Sequence, residues 1–165
     1  MASGATEAQL RALGSVTFQF GMLDFMTRGA VIVLLGGHPQ RTRAVTDELG
    51  FGSLVETIRR LLPIAGFEKQ VIERWEKWCA EASSANQNRN AVTHAAWFPG
   101  STPGELLQVR LGRRRKPEEW VRDERSLLAV ADEIDRCLVN LMNVMADTPG
   151  FEYLTGNLPS QEQSK

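Results

Sequence analysis

Apolar residues recur every three or four positions along three long segments of this sequence, and this spacing predicts a mainly helical fold. The segment from about Thr6 to Leu35 is apolar on most of its surface, so it must be covered on more than one side. A second long helix is expected over 67–97 and a third over about 126–145. One face of the second helix is marked by Phe67, Val71, Trp75, Trp78, Ala82 and Ala85.

Shorter signals lie between the first two long helices. The sequence GGHPQ at 36–40 breaks the first helix, and a short helix is predicted around 41–48. The next helix is predicted over 53–63, with Ser53 as its N-cap and Glu56 as the capping-box partner.

The region before the last helix has a different pattern. The sequence FPGSTPG at 98–104 predicts a loop. Leu107, Val109 and Leu111 then alternate with polar residues, which is typical of a strand. We therefore expect a small β-hairpin over about 105–122, inserted into a helical domain.

Length and composition favour one globular domain. The chain has 165 residues, of which 42% are hydrophobic and 24% are charged, and its formal net charge is −1. We expect a single domain over 1–154 and a disordered polar tail over 155–165. Because the whole molecule is not a polycation, binding to nucleic acid would require a local basic patch.

No segment predicts a membrane anchor or a metal site. The longest apolar run, AVIVLL at 30–35, is too short to span a bilayer, and no signal peptide is evident, so a cytoplasmic protein is expected. Cys79 and Cys137 lack a CxxC partner or a nearby histidine, which predicts two buried, reduced thiols. We expect neither a metal ion nor a cofactor.

Arg89 interrupts the apolar face of the second long helix. One step of four from Ala85 reaches Arg89, so its guanidinium should lie on the buried side. A buried guanidinium is unfavourable without an anionic or hydrogen-bonding partner, and no acid in this segment supplies one. Phosphate fits a guanidinium through paired hydrogen bonds. The simpler alternative is a surface helix that happens to carry an arginine and, near its end, a histidine.

Three polar residues follow one another on the same helix. Asn86, Asn90 and His94 are spaced by four, so their side chains form one line. On an ideal helix Arg89 and His94 lie roughly 140° apart, so they converge only if the helix end distorts. Alternatively, a second copy related by a two-fold axis brings two such sets into one cleft.

These residue types suit RNA cleavage. RNA carries its own nucleophile, the 2′-hydroxyl group. A histidine can accept that proton or protonate the leaving oxygen, and an arginine can stabilise the charge that develops on the phosphate. DNA lacks this hydroxyl and is not cleaved by this route.

The sequence RNAVTH at 89–94 resembles the arginine–four residues–histidine motif of HEPN domains, with the polar residue after the arginine supplied by Asn90. The resemblance covers roughly residues 6–146. It implies an all-α, up-and-down helical bundle, here with the small hairpin before the last helix. It also implies a homodimeric, metal-independent endoribonuclease of a toxin–antitoxin or antiphage defence system, with Arg89 and His94 catalytic and Asn90 assisting.

Further candidates for RNA contact surround the motif. The sequence RLGRRRK at 110–116 could bind the RNA backbone or could be a solvated hairpin tip. Trp97 could form a wall of the cleft or pack in the core. The residues predicted to bind RNA are Arg110, Arg113, Arg114, Arg115, Lys116, Asn86 and Trp97.

Two other functions remain open at this stage. The chain could be a non-catalytic HEPN-like module that binds RNA, a nucleotide or a protein partner such as an antitoxin or a sensor. It could also be a structural subunit of a larger complex, in which case Arg89 and His94 would matter only for stability.

Overall fold

The computed structural model of the chain is mainly helical, as predicted, and describes residues 5–36, 38–102, 104–111 and 117–151. A small antiparallel sheet precedes the last helix. In chain order the elements are α1 (Glu7–Leu35), α2 (Pro39–Thr46), α3 (Phe51–Leu61), α4 (Lys69–Thr93), β1 (Ala96–Pro99), β2 (Leu106–Leu111), β3 (Pro117–Arg122) and α5 (Glu124–Ala146).

The chain divides into two compact units. The first unit combines the chain up to Leu23 with Ser84–Arg136, and the second combines Asp24–Ser83 with the chain from Cys137 onward. The first unit therefore holds the sheet and the RNAVTH motif. The predicted tail at 155–165 lies outside the described residues.

Side-chain caps fix two helix starts in the first unit. At the start of α1, the Gln9 backbone N–H donates to Thr6 Oγ1 (3.2 Å), and Gln9 Oε1 accepts from the Thr6 backbone N–H (2.8 Å). Gln9 Nε2 also donates to the carbonyl oxygen of Gly104 (2.6 Å). Before α5, the Ser126 backbone N–H donates to Asp123 Oδ1 (2.8 Å), and this bond lowers the pKa of the Asp123 carboxyl group. The last helix accordingly begins at Glu124, two residues before the predicted start.

The sheet has the order β1-β2-β3, with both pairs antiparallel. The hairpin predicted over 105–122 is confirmed by β2 and β3. The strand β1 was not predicted. The second long helix was expected to reach residue 97 but ends at Thr93, and β1 extends to Pro99, into the loop predicted over 98–104. Trp97 pairs with Gln108 across the β1–β2 register. This pairing joins residues that are distant in sequence, so local spacing did not indicate it.

Gly100 follows β1 where the chain turns toward β2. A Cβ atom at this position would lie 2.6 Å from the Cβ atom of Glu105. The Gly100 backbone N–H donates to the carbonyl oxygen of Glu105 (3.0 Å), so the two backbones approach closely. Glycine is therefore the residue that this turn accommodates.

Two tryptophans form the centre of the second unit, as their spacing predicted. The Trp75 and Trp78 rings meet edge to face with centroids 5.7 Å apart, and Phe151 packs 5.5 Å from Trp75. Trp75 Nε1 donates to Thr148 Oγ1 (3.0 Å), and Trp78 Nε1 donates to the carbonyl oxygen of Cys137 (3.1 Å). Both indoles are thus buried with their single polar group satisfied.

We expect the Trp75→Ala substitution to lower the free energy of unfolding by about 3–5 kcal/mol, because it removes a fully buried ring and leaves a cavity. Urea unfolding followed by circular dichroism measures this loss. The half-exposed Trp120 is the control, and its replacement by alanine should cost clearly less. Equal losses for the two variants would contradict the assignment of Trp75 to the core.

Helix α3 begins earlier than its cap signal predicted. The N-cap is Gly50, not Ser53, and no side chain caps the helix start. Glu56 forms salt bridges with Arg59 (4.0 Å) and Arg60 (3.1 Å) instead of closing a capping box. The earlier start places Phe51 on the helix face that is buried.

Among the described helices, α1 is long and apolar enough to cross a membrane by length and composition. Its most apolar 18-residue window has a mean hydropathy of 1.4, and 28% of that window is buried. The uninterrupted apolar run at 30–35 did not indicate this property of the whole helix. Core helices of soluble proteins meet the same criterion, so the structure is compatible with a soluble protein.

Candidate active site

Arg89 lies on α4 where the apolar face predicted it, one turn after the buried Ala85. Its guanidinium carbon lies 4.2 Å from the centroid of the Phe20 ring, on α1 of the same unit. Its Nε atom is buried and has no hydrogen-bond partner. The cation is therefore partly removed from water and held against an aromatic face.

Arg89 lacks a compensating negative charge within the described part of the chain. No carboxylate there forms a salt bridge with its guanidinium. The acid Glu133 instead accepts hydrogen bonds from Ser84 (2.8 Å) and Asn88 (2.7 Å). Since burial of an uncompensated cation is unfavourable, this arrangement favours an anionic ligand.

Two asparagines connect to Arg89 through their amide groups. Arg89 Nη1 donates to Asn90 Oδ1 over 2.9 Å, and Asn90 Nδ2 donates to Asn86 Oδ1 over 3.3 Å. The predicted meeting of Asn86 and Asn90 is thus observed. Asn90 therefore contacts Arg89, one of the two residues that the resemblance implied it would assist.

His94 is exposed and lies one residue beyond the end of α4. Its backbone N–H donates to the carbonyl oxygen of Asn90 (3.1 Å), so helical hydrogen bonding continues as far as this residue. In the described structure no hydrogen bond links its imidazole with Arg89. A single copy of the chain thus presents the two groups without joining them, which agrees with the angle expected for an ideal helix.

Side chains of the sheet hold the end of α4 that carries His94. Gln108 is fully buried, and its Nε2 atom donates to the carbonyl oxygen of Ala91. Gln108 Oε1 accepts from Arg122 Nε (2.9 Å). Trp97 Nε1 donates to the carbonyl oxygen of Val92 (3.2 Å). These bonds satisfy carbonyl groups that a helix end otherwise leaves unpaired.

Sequence reasoning missed Gln108, Arg122 and Phe20 as neighbours of the motif. The one available signal was Gln108, a polar residue between the apolar Leu107 and Val109 of a strand. Trp97, predicted to contact RNA or the core, is half-buried and caps α4 with its indole N–H group.

The basic run at 110–116 is described only at its start. Arg110 forms a salt bridge with Glu118 (3.4 Å) and lies 5.2 Å from the centroid of the Trp120 ring. The positive charge of Arg110 is therefore partly neutralised by Glu118 of the same hairpin. The predicted RNA-binding residues Arg113, Arg114, Arg115 and Lys116 lie outside the described residues.

Cys79 and Cys137 are buried and are not joined by a disulfide, as predicted. Burial raises the pKa of Cys79 from 9.0 to about 11, which outweighs the opposing effect of Arg59. In the described ranges, no group of three or more His, Cys, Asp or Glu side chains is arranged to hold a metal ion.

We expect the folded chain to react very slowly with a thiol reagent at pH 8, because the Cys79 proton is held more tightly when buried. The stability that this protonated thiol contributes is present below pH 9.0 and is lost as the pH rises toward about 11. Labelling with Ellman's reagent measures the reactivity, and guanidinium-unfolded protein is the control. Rapid labelling of Cys79 in the folded state would contradict this prediction.

Comparison with known protein families, curated proteins and solved structures gave no match for this chain.

Proposed function

We propose that this chain is a metal-independent endoribonuclease in which Arg89 binds the scissile phosphate and His94 transfers protons. The observation that carries the proposal is the guanidinium of Arg89. It is held by Phe20 and Asn90, lacks a carboxylate partner among the described side chains, and precedes an exposed histidine by five residues. The HEPN-like fold and a cytoplasmic location belong to the same proposal.

The reaction follows from the chemistry of RNA. The ribose 2′-oxygen attacks the adjacent phosphorus as its proton passes to a base, and the bond from phosphorus to the 5′-oxygen breaks as that oxygen is protonated. The products are a 2′,3′-cyclic phosphate and a 5′-hydroxyl. Arg89 would stabilise the charge on the non-bridging oxygens, and His94 would serve as base or acid. The mechanism consumes no cofactor.

A homodimer forms part of the proposal, because the single imidazole of His94 cannot be base and acid in the same step. In a dimer, Arg89 and His94 of both copies would lie in one cleft. The supporting observation is an apolar side of α1 that remains exposed in one copy. Large apolar side chains on this surface, all within the first unit, are Leu10, Phe18 and Met22.

We expect the Phe18→Asp substitution to weaken self-association by about 100-fold or more, since Phe18 is 71% exposed and a carboxylate would be buried in the contact. Sedimentation velocity measures the dissociation constant, and RNA cleavage should fall in parallel. The control is Val45→Asp on α2, which alters another exposed apolar residue. A wild-type chain that stays monomeric at high micromolar concentration would contradict the dimer.

A binding module without chemistry is the second candidate. The observation that favours it is the lack of a hydrogen bond between Arg89 and His94 in one copy. Such a module would use Arg89 to hold RNA, a nucleotide or an acidic segment of an antitoxin or sensor protein. A role in toxin–antitoxin or antiphage defence is proposed for either candidate.

The two candidates differ in their need for the 2′-hydroxyl. The test compares an RNA oligonucleotide with the same oligonucleotide carrying 2′-deoxy residues, each incubated with purified protein. The endoribonuclease proposal predicts cleavage of the RNA alone, while both strands bind. Binding of both strands with cleavage of neither would support the module.

A further inference from the structure

The amide of Asn90 must face one way to bind Arg89. A guanidinium offers only N–H donors, so the neighbouring amide has to present its oxygen. This orientation is observed, because Asn90 Oδ1 accepts from Arg89 Nη1 over 2.9 Å. If the amide turned over, an NH₂ group would face the cation and the hydrogen bond would be lost.

Asn86 fixes this orientation from one turn earlier on α4. Its Oδ1 atom accepts a hydrogen bond from Asn90 Nδ2 (3.3 Å), which is possible only when the Asn90 oxygen points toward Arg89. Both asparagines are half-buried, so water competes less with these bonds than on an open surface. The order Asn86–Asn90–Arg89 is therefore a directed chain of hydrogen bonds.

The same chain limits how Arg89 can meet a ligand. Of the five N–H donors of its guanidinium, the one on Nε is buried without a partner and one on Nη1 is given to Asn90. The guanidinium carbon lies over the Phe20 ring, 4.2 Å from its centroid. The remaining donors lie at the Nη1–Nη2 end, which can bind two oxygens of one phosphate. While the guanidinium turns about its Nε–Cζ bond, these donors are out of position for the phosphate.

We propose that Asn86 is a positioning residue that acts through Asn90 to hold the Arg89 guanidinium in its phosphate-binding orientation. This role replaces the direct RNA contact that the sequence suggested for Asn86. Only the expected effect of Asn86 on RNA cleavage rests on the proposed function. The orientation of Arg89 itself can be measured without substrate.

The first measurement is the rotation rate of the Arg89 guanidinium about its Nε–Cζ bond, by nitrogen-15 NMR of full-length labelled protein. We expect Asn86→Leu to accelerate this rotation several-fold, because Asn90 can then turn over and release Nη1. Asn86→Asp keeps an acceptor for Asn90 and should preserve the wild-type rate. The control Gln87→Leu changes an exposed neighbour and should also leave the rate unchanged. An unchanged rate in Asn86→Leu would overturn the inference.

The second measurement is a double-mutant cycle on RNA cleavage. We expect Asn86→Leu to lower kcat/KM by about tenfold in the wild-type background and to have no further effect once Asn90→Leu is present. A loss that persists in the Asn90→Leu background would overturn action through Asn90. If the wild-type chain cleaves no RNA, the proposed function fails, while the NMR comparison still decides the role of Asn86.

Discussion

Replacement of His94 by alanine is expected to lower RNA cleavage by about 10²–10⁴-fold, the range typical for loss of a general acid or base. Affinity for RNA should change little. His94 is exposed at the end of α4 and contributes no buried contact, so its loss should leave the fold intact. Single-turnover cleavage separates this effect from binding, which is measured independently by fluorescence anisotropy.

The chain provides a matched control for this experiment. It contains one other histidine, His38, which is also exposed and belongs to the second unit. His38→Ala should cleave at the wild-type rate. Equal activity of the His94→Ala and wild-type proteins would remove His94 from the mechanism, and an equal loss in both variants would point to a general effect of histidine removal.

Replacement of Arg89 by alanine should have a comparable effect on cleavage, about 10²–10³-fold, and should also weaken RNA binding. The guanidinium contacts phosphate before and during the reaction in this proposal, so both steps depend on it. Arg89→Lys retains the charge but cannot place a planar guanidinium over the Phe20 ring or present two parallel donors. We therefore expect lysine to restore part of the binding and little of the cleavage.

Arg11 is a suitable control for Arg89. It lies on α1 in the same unit, is exposed and is paired with Glu7 (2.5 Å). Arg11→Ala should leave cleavage within about twofold of wild type, because exposed pairs of this kind contribute little. Full activity of Arg89→Lys would show that charge alone suffices and would contradict a role for the planar guanidinium.

The helical spacing of Ala82, Ala85 and Arg89 allowed the buried side of α4 to be predicted from sequence, and with it the unusual position of Arg89. The tryptophan core followed from the same periodicity. Such patterns are local, because neighbours on a helix face are three or four residues apart.

The residues that surround the candidate site could not be predicted from helical spacing. Phe20 is separated from Arg89 by most of the first half of the chain, and Gln108 reaches α4 only because the sheet folds back on it. The end of α4 was misplaced for a similar reason, since Trp97 joins a strand whose partner lies eleven residues later. Likewise, burial of Phe51 took precedence over the local cap signal at Ser53.

The most direct test is cleavage of mixed cellular RNA by wild-type, Arg89→Ala and His94→Ala proteins in excess EDTA, with analysis of the product ends. We predict that only the wild-type protein cuts and that its products carry 2′,3′-cyclic phosphate ends. Equal cutting by all three preparations, or RNA binding without cutting by any of them, would contradict an endoribonuclease built on Arg89 and His94.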